Sequence, residues 1–352
     1  MPPERPRILL VTTEVPPDRV GAFQALASRV DLELALFGGG LHATSGVDDH
    51  GLTAHHVAPR GVYRLAASGR YAAVVAGTAG RIALPAAWLG AERAGVPFLL
   101  WSALWAHPRS LAHLPGALLL RVLYRRAAVV LAYGDHVARL AQACGAARVT
   151  VAPQAVDQAF WRREQTSPAD VPPRLVYVGR DGPGKGVATL LEAWQRSELA
   201  ASGATLELLG PDLPATALPA GALSLGPQPP QAVRAALLGA AAVVVPSERT
   251  ATFREPWGLV VNEAMHARTP VIATTDVGAV AGGLLRPDVT GIVCPSADPA
   301  GLAAAMRRAA ALTPAQRREL TTAAASAAAA YTHAAWAEAV AGALERSLAC
   351  AA

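Results

Sequence analysis

Short apolar runs alternate along this chain with segments of helical periodicity, and this alternation limits the possible folds more than any other feature. In the first half the runs span residues 7–15, 32–37, 72–78, 97–101, 128–134 and 149–154. Several are apolar at consecutive positions, whereas a strand with one solvated face would alternate apolar and polar residues. Such strands, separated by helices, are typical of a parallel sheet covered on both faces. The first half is therefore predicted to be a doubly wound α/β domain.

The same alternation begins again after a polar, proline-containing segment, RREQTSPADVPP, at 162–173. The later apolar runs span 174–179, 204–210, 242–247, 270–275 and 291–295. A polar segment with prolines between two hydrophobic patterns is typical of a linker. We therefore predict a first domain over 1–165, a linker over 166–173 and a second domain over 174–330. The remaining residues, 331–352, are predicted to be helical.

Composition supports two folded domains and excludes several classes of partner. A chain of 352 residues exceeds the roughly 250–300 residues at which a single core stops growing. Hydrophobic residues make up 52% and charged residues 16%, which excludes long disordered tails. The net charge of +5 comes from scattered arginines, so no nucleic-acid partner is predicted.

Cysteine and histidine spacing indicates neither a disulfide framework nor a metal site. The three cysteines, at 144, 294 and 350, are far apart and are expected to be reduced thiols. The histidines at 42, 50, 55 and 56 lack ligand-like partners, so no metal is predicted. The first apolar run is too short for a signal-peptide core, which favours a cytoplasmic location.

The most apolar stretch, residues 114–134, is interrupted by Arg121, Arg125 and Arg126. Arginines at bilayer depth are costly, so this stretch is not predicted to span a membrane. A basic amphipathic helix around residues 109–127 fits two interpretations. It is half-buried in its own domain, or it also lies on the anionic inner face of the cytoplasmic membrane.

The chain contains a single lysine, Lys185, within VGRDGPGKGVATLLEAW at 178–194. The glycines follow a predicted strand and precede a predicted helix, whose first N–H groups are unpaired and attract anions. Arg180 and Lys185 are therefore predicted at an anion site. The spacing also fits a phosphate-binding P-loop, but Gly186 occupies the position where a P-loop needs Ser or Thr for Mg²⁺.

A second motif, PSERTATFREPWGLVVNEAMHARTPVIATTDVGA at 246–279, contains two glutamates with seven residues between them. If a helix begins near Trp257 or Gly258, Glu255 precedes its N-terminus and Glu263 lies two turns away from that loop. A loop carboxylate can accept hydrogen bonds from substrate hydroxyls, and unpaired amides at 256–260 can receive a phosphate or sugar oxygen.

These motifs together resemble the family-4 retaining glycosyltransferases of the GT-B fold, also called glycosyl transferases group 1. The resemblance is carried by VGRDGPGKGVATLLEAW, by EPWGLVVNEAM, which matches the E-x7-E motif, by TPVIATTDVGA, and by VAPQAVDQAFW at 151–161. It covers both halves and implies two Rossmann-like, doubly wound parallel-sheet domains facing each other across a cleft. Residues 331–352 resemble the segment that crosses back to the first domain.

The resemblance implies transfer of a sugar from a nucleotide-diphosphate sugar to an acceptor, with retention of configuration and without cofactor or obligatory metal. Arg180 and Lys185 would hold the donor diphosphate and stabilise the leaving group. Glu255 would contact the sugar hydroxyls, and Glu263 would bind the ribose. The amides around Trp257, Gly258 and Leu259 would line the sugar and phosphates.

The resemblance is weaker in the first domain, which would bind the acceptor. Gly21, in PPDRVGAF, matches the loop where that domain approaches the diphosphate, although Ala22 replaces a second glycine. His107 is the better candidate for the family's functional histidine after the strand at 97–101, and His113 is the poorer one.

Three functions remain open at this point. The first is a retaining glycosyltransferase, and the second is a nucleotide-sugar 2-epimerase of the same fold. The third is a non-catalytic nucleotide-sugar-binding protein, because GAVAGGLL lacks the glutamate that often follows the glycine matching Gly278. A small metabolite, a glycan and a lipid-linked molecule all remain possible acceptors.

Overall fold

The computed structural model describes residues 5–38, 50–107, 110–162 and 172–350. Its internal contacts divide the chain into two compact units. Unit 1 comprises Met1–Asp157 and Tyr331–Ala352, and unit 2 comprises Gln158–Ala330. Most of the predicted linker, residues 166–171, lies outside the described residues, as do His42 and residue 109 of the predicted basic segment.

Unit 1 is built on a parallel sheet of seven strands in the order β3-β2-β1-β4-β5-β6-β7. The strands are β1 (Arg7–Thr12), β2 (Asp31–Leu36), β3 (Thr53–His56), β4 (Ala73–Gly77), β5 (Phe98–Ser102), β6 (Val129–Ala132) and β7 (Val149–Val151). The helices are α1 (Pro17–Ala27), α2 (Gly61–Ala66), α3 (Ala83–Ala94), α4 (Leu114–Arg126), α5 (Asp135–Ala143) and, after unit 2, α13 (His333–Ala349).

Two hydrophobic cores cover the two faces of this sheet. Ile8 and Leu10 of β1 belong to the core that includes α1 and α13, while Leu9 and Val11 belong to the core that includes α2 and α3. Successive side chains of a strand point to opposite faces, so a strand covered on both sides is apolar at every position. This explains the absence of alternation in the sequence.

Unit 2 has a parallel sheet of six strands in the order β10-β9-β8-β11-β12-β13. The strands are β8 (Arg174–Val178), β9 (Thr205–Leu209), β10 (Ala222–Gly226), β11 (Ala242–Val245), β12 (Val271–Thr274) and β13 (Ile292–Cys294). The helices are α6 (Gln158–Trp161), α7 (Val187–Ser197), α8 (Pro230–Gly239), α9 (Val260–His266), α10 (Gly278–Ala281), α11 (Pro299–Ala310) and α12 (Pro314–Ala328). The predicted α/β class with two parallel-sheet domains is confirmed.

The strand order of unit 2 reverses between β8 and β11. The chain moves outward from β8 to β9 and β10, then returns to β11 on the other side of β8. Ligands of open parallel sheets bind beyond the carboxyl ends of the strands at such a switch point. The loops after β8 and β11 therefore mark where a ligand site in unit 2 is expected.

Three details of the sequence-based fold need correction. The edge strands β3 and β10 were missed, because they are only partly buried and their residues do not form an apolar run. The first domain also ends before the predicted residue 165. Helix α6 belongs to unit 2, where Arg234 donates hydrogen bonds to the carbonyl oxygens of Phe160 and Arg162.

Helix α13 belongs to unit 1 and packs against α1. It begins after Thr332, whose hydroxyl accepts a hydrogen bond from the amide of Ala335 at 3.1 Å. Its buried Trp336 packs against Phe23 of α1, with ring centroids 5.7 Å apart. In the described part of the chain, every helix is too short or too polar to cross a membrane.

Candidate active site

The loop between β8 and α7 lies directly against the segment after β11. Gly186 has a φ of +71°, and a Cβ there would lie 1.9 Å from the carbonyl oxygen of Pro246. Gly184 has a φ of +80°, and its Cβ would contact the Phe253 ring and the Glu248 carbonyl oxygen. Left-handed backbone and this close approach both require glycine. The predicted glycine turns therefore join two loops at the switch point.

Lys185 and Glu255 meet where these two loops touch. The Lys185 Nζ donates a hydrogen bond of 2.6 Å to Glu255 Oε2. Ser247 donates its hydroxyl to the same carboxylate oxygen at 3.1 Å. The ammonium also lies 5.4 Å from the centre of the Phe253 ring, within the range of a cation–π contact. The structure thus brings together one predicted phosphate ligand and one predicted sugar ligand.

Tyr177 of β8 fixes the start of the glycine-rich loop. Its buried hydroxyl donates a hydrogen bond of 2.9 Å to the carbonyl oxygen of Arg180. Burial and the nearby negative charges of Glu255 and Asp181 raise the pKa of Tyr177 well above its ordinary value. The phenol therefore stays protonated and keeps donating at neutral pH. Arg180 itself is exposed, so its backbone is anchored while its guanidinium faces solvent.

The loop that follows Glu255 crosses over the start of α10. Glu255 forms a β-bridge with Val277, and the Trp257 carbonyl oxygen accepts a hydrogen bond from the Ala279 amide at 2.8 Å. A Cβ at Gly278 would lie 2.0 Å from the Pro256 carbonyl oxygen, so this crossing requires glycine. The sequence TTDVGA after β12 thus provides the surface on which the E-x7-E loop lies.

The predicted start of the helix in the E-x7-E motif is wrong by two to three residues. Helix α9 begins at Val260, because Gly258 has a left-handed φ of +84° that a helix cannot contain. Glu263 therefore lies in the first turn of α9 rather than two turns from the loop. It is half-buried.

The Trp257 side chain has a structural position. The indole is 2% exposed, and its Nε1 donates a hydrogen bond of 2.8 Å to Oδ1 of the buried Asn262. A ring in this position cannot stack on a sugar, whereas the backbone of residues 257–259 remains in the loop beside Glu255. The predicted role of the main-chain amides stays a prediction, and the hydrogen bond gives the asparagine of α9 a structural role.

Asp276 was missed by the sequence analysis. It is the second residue after β12 and is 8% exposed. Its carboxylate accepts hydrogen bonds from the Arg249 amide at 3.1 Å, the Arg254 Nε at 2.9 Å and the Ser296 hydroxyl. These bonds hold both ends of the segment that carries Phe253. A carboxylate at the carboxyl end of a predicted parallel strand was the available signal.

Gly21 is not in a loop, which corrects its predicted environment. It lies inside α1, because the turn after β1 ends at Pro16 and the helix starts with a proline at Pro17. A Cβ on Gly21 would lie 2.2 Å from Nδ1 of His333 at the start of α13. The glycine therefore makes room for a helix contact within unit 1, and its predicted role near a diphosphate stays a prediction.

His107 lies beyond β5 in unit 1 and is half-buried. Its Nε2 is 3.5 Å from the Sγ of Cys144, at the end of α5. Burial and the positive charge of Arg121 lower the pKa of His107, which favours the neutral imidazole. His113, the poorer candidate, is exposed to intermediate extent and bonds Ser110 through Nδ1 at 2.6 Å.

A buried arginine that the sequence analysis overlooked lies at the carboxyl end of the unit 1 sheet. Arg19 is 7% exposed, and its guanidinium lies 5.2 Å and 5.5 Å from the ring centres of Trp101 and Tyr133. It donates to the Gln154 side chain and pairs with Asp18 at 3.3 Å. Trp101 is thus a core residue that stacks on a cation.

The described residues contain no group of three or more His, Cys, Asp or Glu side chains arranged to hold a metal ion. The paired loops carry Arg180, Lys185, Arg249 and Arg254.

Comparison with known proteins agrees with the features of unit 2. Residues 172–311 match the family model of Glycosyl transferases group 1. A glycogen synthase of Mycobacterium tuberculosis (strain CDC 1551 / Oshkosh) is 34% identical over 176 residues, which are 46% of this chain and 40% of that protein. The same holds for the glycogen synthase of strain H37Rv. The matched segment thus spans less than half the length of these curated relatives.

Solved structures share the fold over nearly the whole chain. Anabaena HepE in complex with UDP is 18% identical with a TM-score of 0.78, covering 97% of this chain and 100% of that chain. Sucrose-phosphate synthase from Thermosynechococcus elongatus is 19% identical with a TM-score of 0.75, covering 99% and 100%. At these identities the likeness shows the fold alone.

Two Rossmann-like parallel-sheet units, with a glycine-rich loop at the switch point of the second, define a protein of the GT-B fold class. Within unit 2, residues 172–311 are similar to the group 1 glycosyltransferases.

Proposed function

We propose that this chain is a family-4 retaining glycosyltransferase, which transfers a sugar from a nucleotide-diphosphate sugar to an acceptor without a metal. The observation that carries the proposal is the 2.6 Å pair between Lys185 Nζ and Glu255 Oε2 at the switch point of unit 2. It places a cation suited to phosphate beside a carboxylate suited to sugar hydroxyls. A donor molecule needs both groups next to each other.

Lys185 and Arg180 would stabilise the leaving group. When the bond between the anomeric carbon and the phosphate oxygen breaks, negative charge develops on the departing diphosphate. Preorganised cations at that oxygen lower the barrier because they interact more strongly with the transition state than with the ground state. An ammonium has three N–H donors, and Glu255 takes one of them, so Lys185 can contact phosphate without leaving the carboxylate.

Glu255 would accept hydrogen bonds from the donor-sugar hydroxyls, and Glu263 would bind the ribose hydroxyls. Glu255 is supported by its place beside Lys185. Glu263 is supported by its position in the first turn of α9. The backbone amides of Trp257, Gly258 and Leu259 would line the sugar and phosphates. In unit 1, Gly21 would approach the diphosphate and His107 would act on the acceptor, since a neutral imidazole can accept a proton from a hydroxyl.

The similar structures suggest which donor base to test first. Anabaena HepE has been solved with UDP, so uridine is the first base to test here. The metal-independent mechanism is supported by the two cations of the loop, which would supply the charge that a divalent ion supplies elsewhere.

We also propose that α4 contacts an anionic membrane surface from one side. Leu114, Leu118 and Val122 follow one another at helical spacing, and all three are exposed, at 54%, 55% and 44%. Arg121 and Arg125 are exposed on the same face. Leucines that enter the acyl boundary and arginines that pair with lipid phosphates are typical of an interfacial helix. The location would then be cytoplasmic, at the inner face of the membrane.

Donor turnover tests the enzymatic proposal. The full chain is incubated with a panel of nucleotide sugars, and release of the nucleoside diphosphate is followed with water as the acceptor. We expect release of the nucleoside diphosphate that persists in EDTA, and NMR should show that the freed sugar initially keeps the donor's anomeric configuration. Interconversion of the sugar without release would indicate the epimerase, and binding without any turnover would indicate the non-catalytic protein.

Vesicle flotation tests the membrane contact. We expect binding to phosphatidylcholine vesicles only when phosphatidylglycerol is included, and less binding for Leu118→Gln. Leu223→Gln is the control, since Leu223 is similarly exposed, at 49%, on β10 of unit 2. Equal binding of both variants would refute the contact. A dimer in solution that Leu118→Gln dissociates would refute it too, by giving the face a different partner.

A further inference from the structure

A cavity in unit 1 is separate from the candidate donor site. It has a volume of about 500 Å³ and is lined by Leu104, by part of the segment 78–84 and by part of 112–120. Leu104 follows β5, and segment 78–84 follows β4, so the cavity lies beyond the carboxyl ends of two parallel strands. Ligands of doubly wound sheets bind at this edge. The volume falls within the range of small-ligand pockets.

The lining of this cavity is mostly apolar. Leu84, Leu104, Leu119 and Leu120 contribute large side chains, and the polar side chains are those of Thr78, Arg81 and His113. A glycan needs hydrogen-bonding groups along all its hydroxyls, and buried hydroxyls without partners are costly. The cavity therefore suits the apolar part of a ligand better than a sugar.

Arg81 gives the cavity a single fixed positive charge. It is exposed, and within the described part of the chain its guanidinium has neither a hydrogen bond nor an ion pair. A guanidinium fits the paired oxygens of a phosphate or carboxylate. An apolar cavity with one such cation at its exposed side matches a molecule with one anionic group and one hydrocarbon part.

Helix α4 connects the cavity to the proposed membrane-contact face. Gly116, Leu119 and Leu120 line the cavity from one side of the helix. Leu114 and Leu118 are exposed on the opposite side, roughly half a turn away. If α4 lies on a membrane, an amphiphile in that membrane is therefore separated from the cavity by the width of one helix.

We infer that the acceptor is an anionic amphiphile, whose hydrocarbon part occupies this cavity and whose acidic group pairs with Arg81. This inference rests on the proposed glycosyltransferase function, and it selects the lipid class among the acceptors that the sequence left open. The polar end of the amphiphile would carry the hydroxyl that receives the sugar.

Calorimetry with monoalkyl phosphates of increasing chain length, each below its micellar concentration, tests the inference on the full chain. Burying a methylene tightens binding about fourfold, so the affinity should rise by that factor per carbon until the cavity is full, and then level off. Affinities that do not depend on chain length would overturn the inference.

Two variants locate the binding. A Cβ at Gly116 meets no atom within 4 Å, so Gly116→Leu fills the cavity without a backbone clash, and the affinity should level off at a shorter chain. Arg81→Gln changes an exposed side chain. It should weaken the binding of alkyl phosphates of every chain length and leave the binding of the neutral octyl glucoside unchanged. Arg318→Gln, at an exposed arginine of α12, is the matched control. If affinity depends on chain length in the same way in Gly116→Leu and in wild type, the assignment of the hydrocarbon part to this cavity is contradicted.

Nucleoside diphosphate binding is measured on the same samples. If it is intact and the alkyl phosphates do not bind, the acceptor inference alone is wrong. If the alkyl phosphates bind and no nucleoside diphosphate does, the acceptor role falls together with the proposed function.

Discussion

Lys185 and Glu255 form an ion pair of 2.6 Å across 70 positions of the sequence. The pair joins the loop after β8 to the loop after β11, the two neighbouring strands where the topology of unit 2 reverses. Their side chains are 24% and 10% exposed, so water screens the pair only in part. A diphosphate and a sugar bound at this place would each meet a group of matching chemistry.

Removing the ammonium should affect catalysis more than folding. Lys185→Ala is expected to lower kcat/KM for the nucleotide sugar by roughly 10²- to 10³-fold, the usual loss when one preorganised donor to a developing charge is removed. Arg318→Gln controls for the loss of one positive charge on unit 2. Steady-state kinetics checks this, and equal activity of Lys185→Ala and wild type would contradict the assigned role.

The contact between the two loops can be broken without touching a charge. Gly186→Ala places a Cβ against the Pro246 carbonyl oxygen and puts an alanine at a φ of +71°. The left-handed conformation alone costs about 1–2 kcal/mol, so unfolding should require less denaturant and nucleotide affinity should fall. Gly77→Ala is the control, because its Cβ would meet no atom within 4 Å. Equal denaturation midpoints for the two variants would refute the contact.

The hydrogen bond from Trp257 to Asn262 is expected to stabilise the E-x7-E loop. Trp257→Phe leaves the buried Asn262 oxygen without this donor, which costs about 1–3 kcal/mol in the free energy of unfolding. Trp88→Phe removes a comparable bond to Glu92 on the surface of α3 and should cost under about 0.5 kcal/mol. Denaturant titration of both variants measures the difference, and similar costs would argue against a structural role for the indole.

Burial of His266 makes stability depend on pH. It is 4% exposed, and burial lowers its pKa below the ordinary value near 6.5. The unfolded chain therefore takes up a proton that the folded chain refuses as the pH falls through about 6.5, so the folded state loses stability toward acid. One such group contributes at most about 1.4 kcal/mol per pH unit.

His266→Leu should therefore reduce the slope of unfolding free energy against pH between pH 5 and 6.5. Above pH 7 the imidazole is neutral in both states, so the same comparison there is the control. An unchanged slope would mean that His266 takes up its proton in the folded chain over the same pH range as in the unfolded chain.

The sequence predicted those features that depend on local patterns. Consecutive apolar runs identified the central strands, and the glycines at 184 and 186 indicated the turn beside Lys185. The edge strand β3 was not predicted because its sequence, TAHH, contains no apolar run. An edge strand pairs with one neighbouring strand only and has a partly solvent-exposed face, so its sequence shows little apolar patterning.

The contacts between distant segments could not be predicted. Nothing near Gly186 in the sequence indicates Pro246, and nothing near Gly21 indicates His333. The helix start in the E-x7-E motif was missed for a related reason. Gly258 adopts a left-handed φ to let the loop reach α10, and this requirement comes from residues 277–279 rather than from the motif itself.

The pairing of Lys185 with Glu255 is tested most directly by calorimetry with a nucleoside diphosphate and its sugar derivative. Wild type, Lys185→Ala and Glu255→Gln are compared, with UDP and UDP-glucose as the first ligands. We expect Lys185→Ala to weaken the binding of both ligands by about tenfold or more, whereas Glu255→Gln should weaken the binding of the sugar derivative only. Unchanged binding of both ligands to Lys185→Ala would contradict the placement of the donor at this pair.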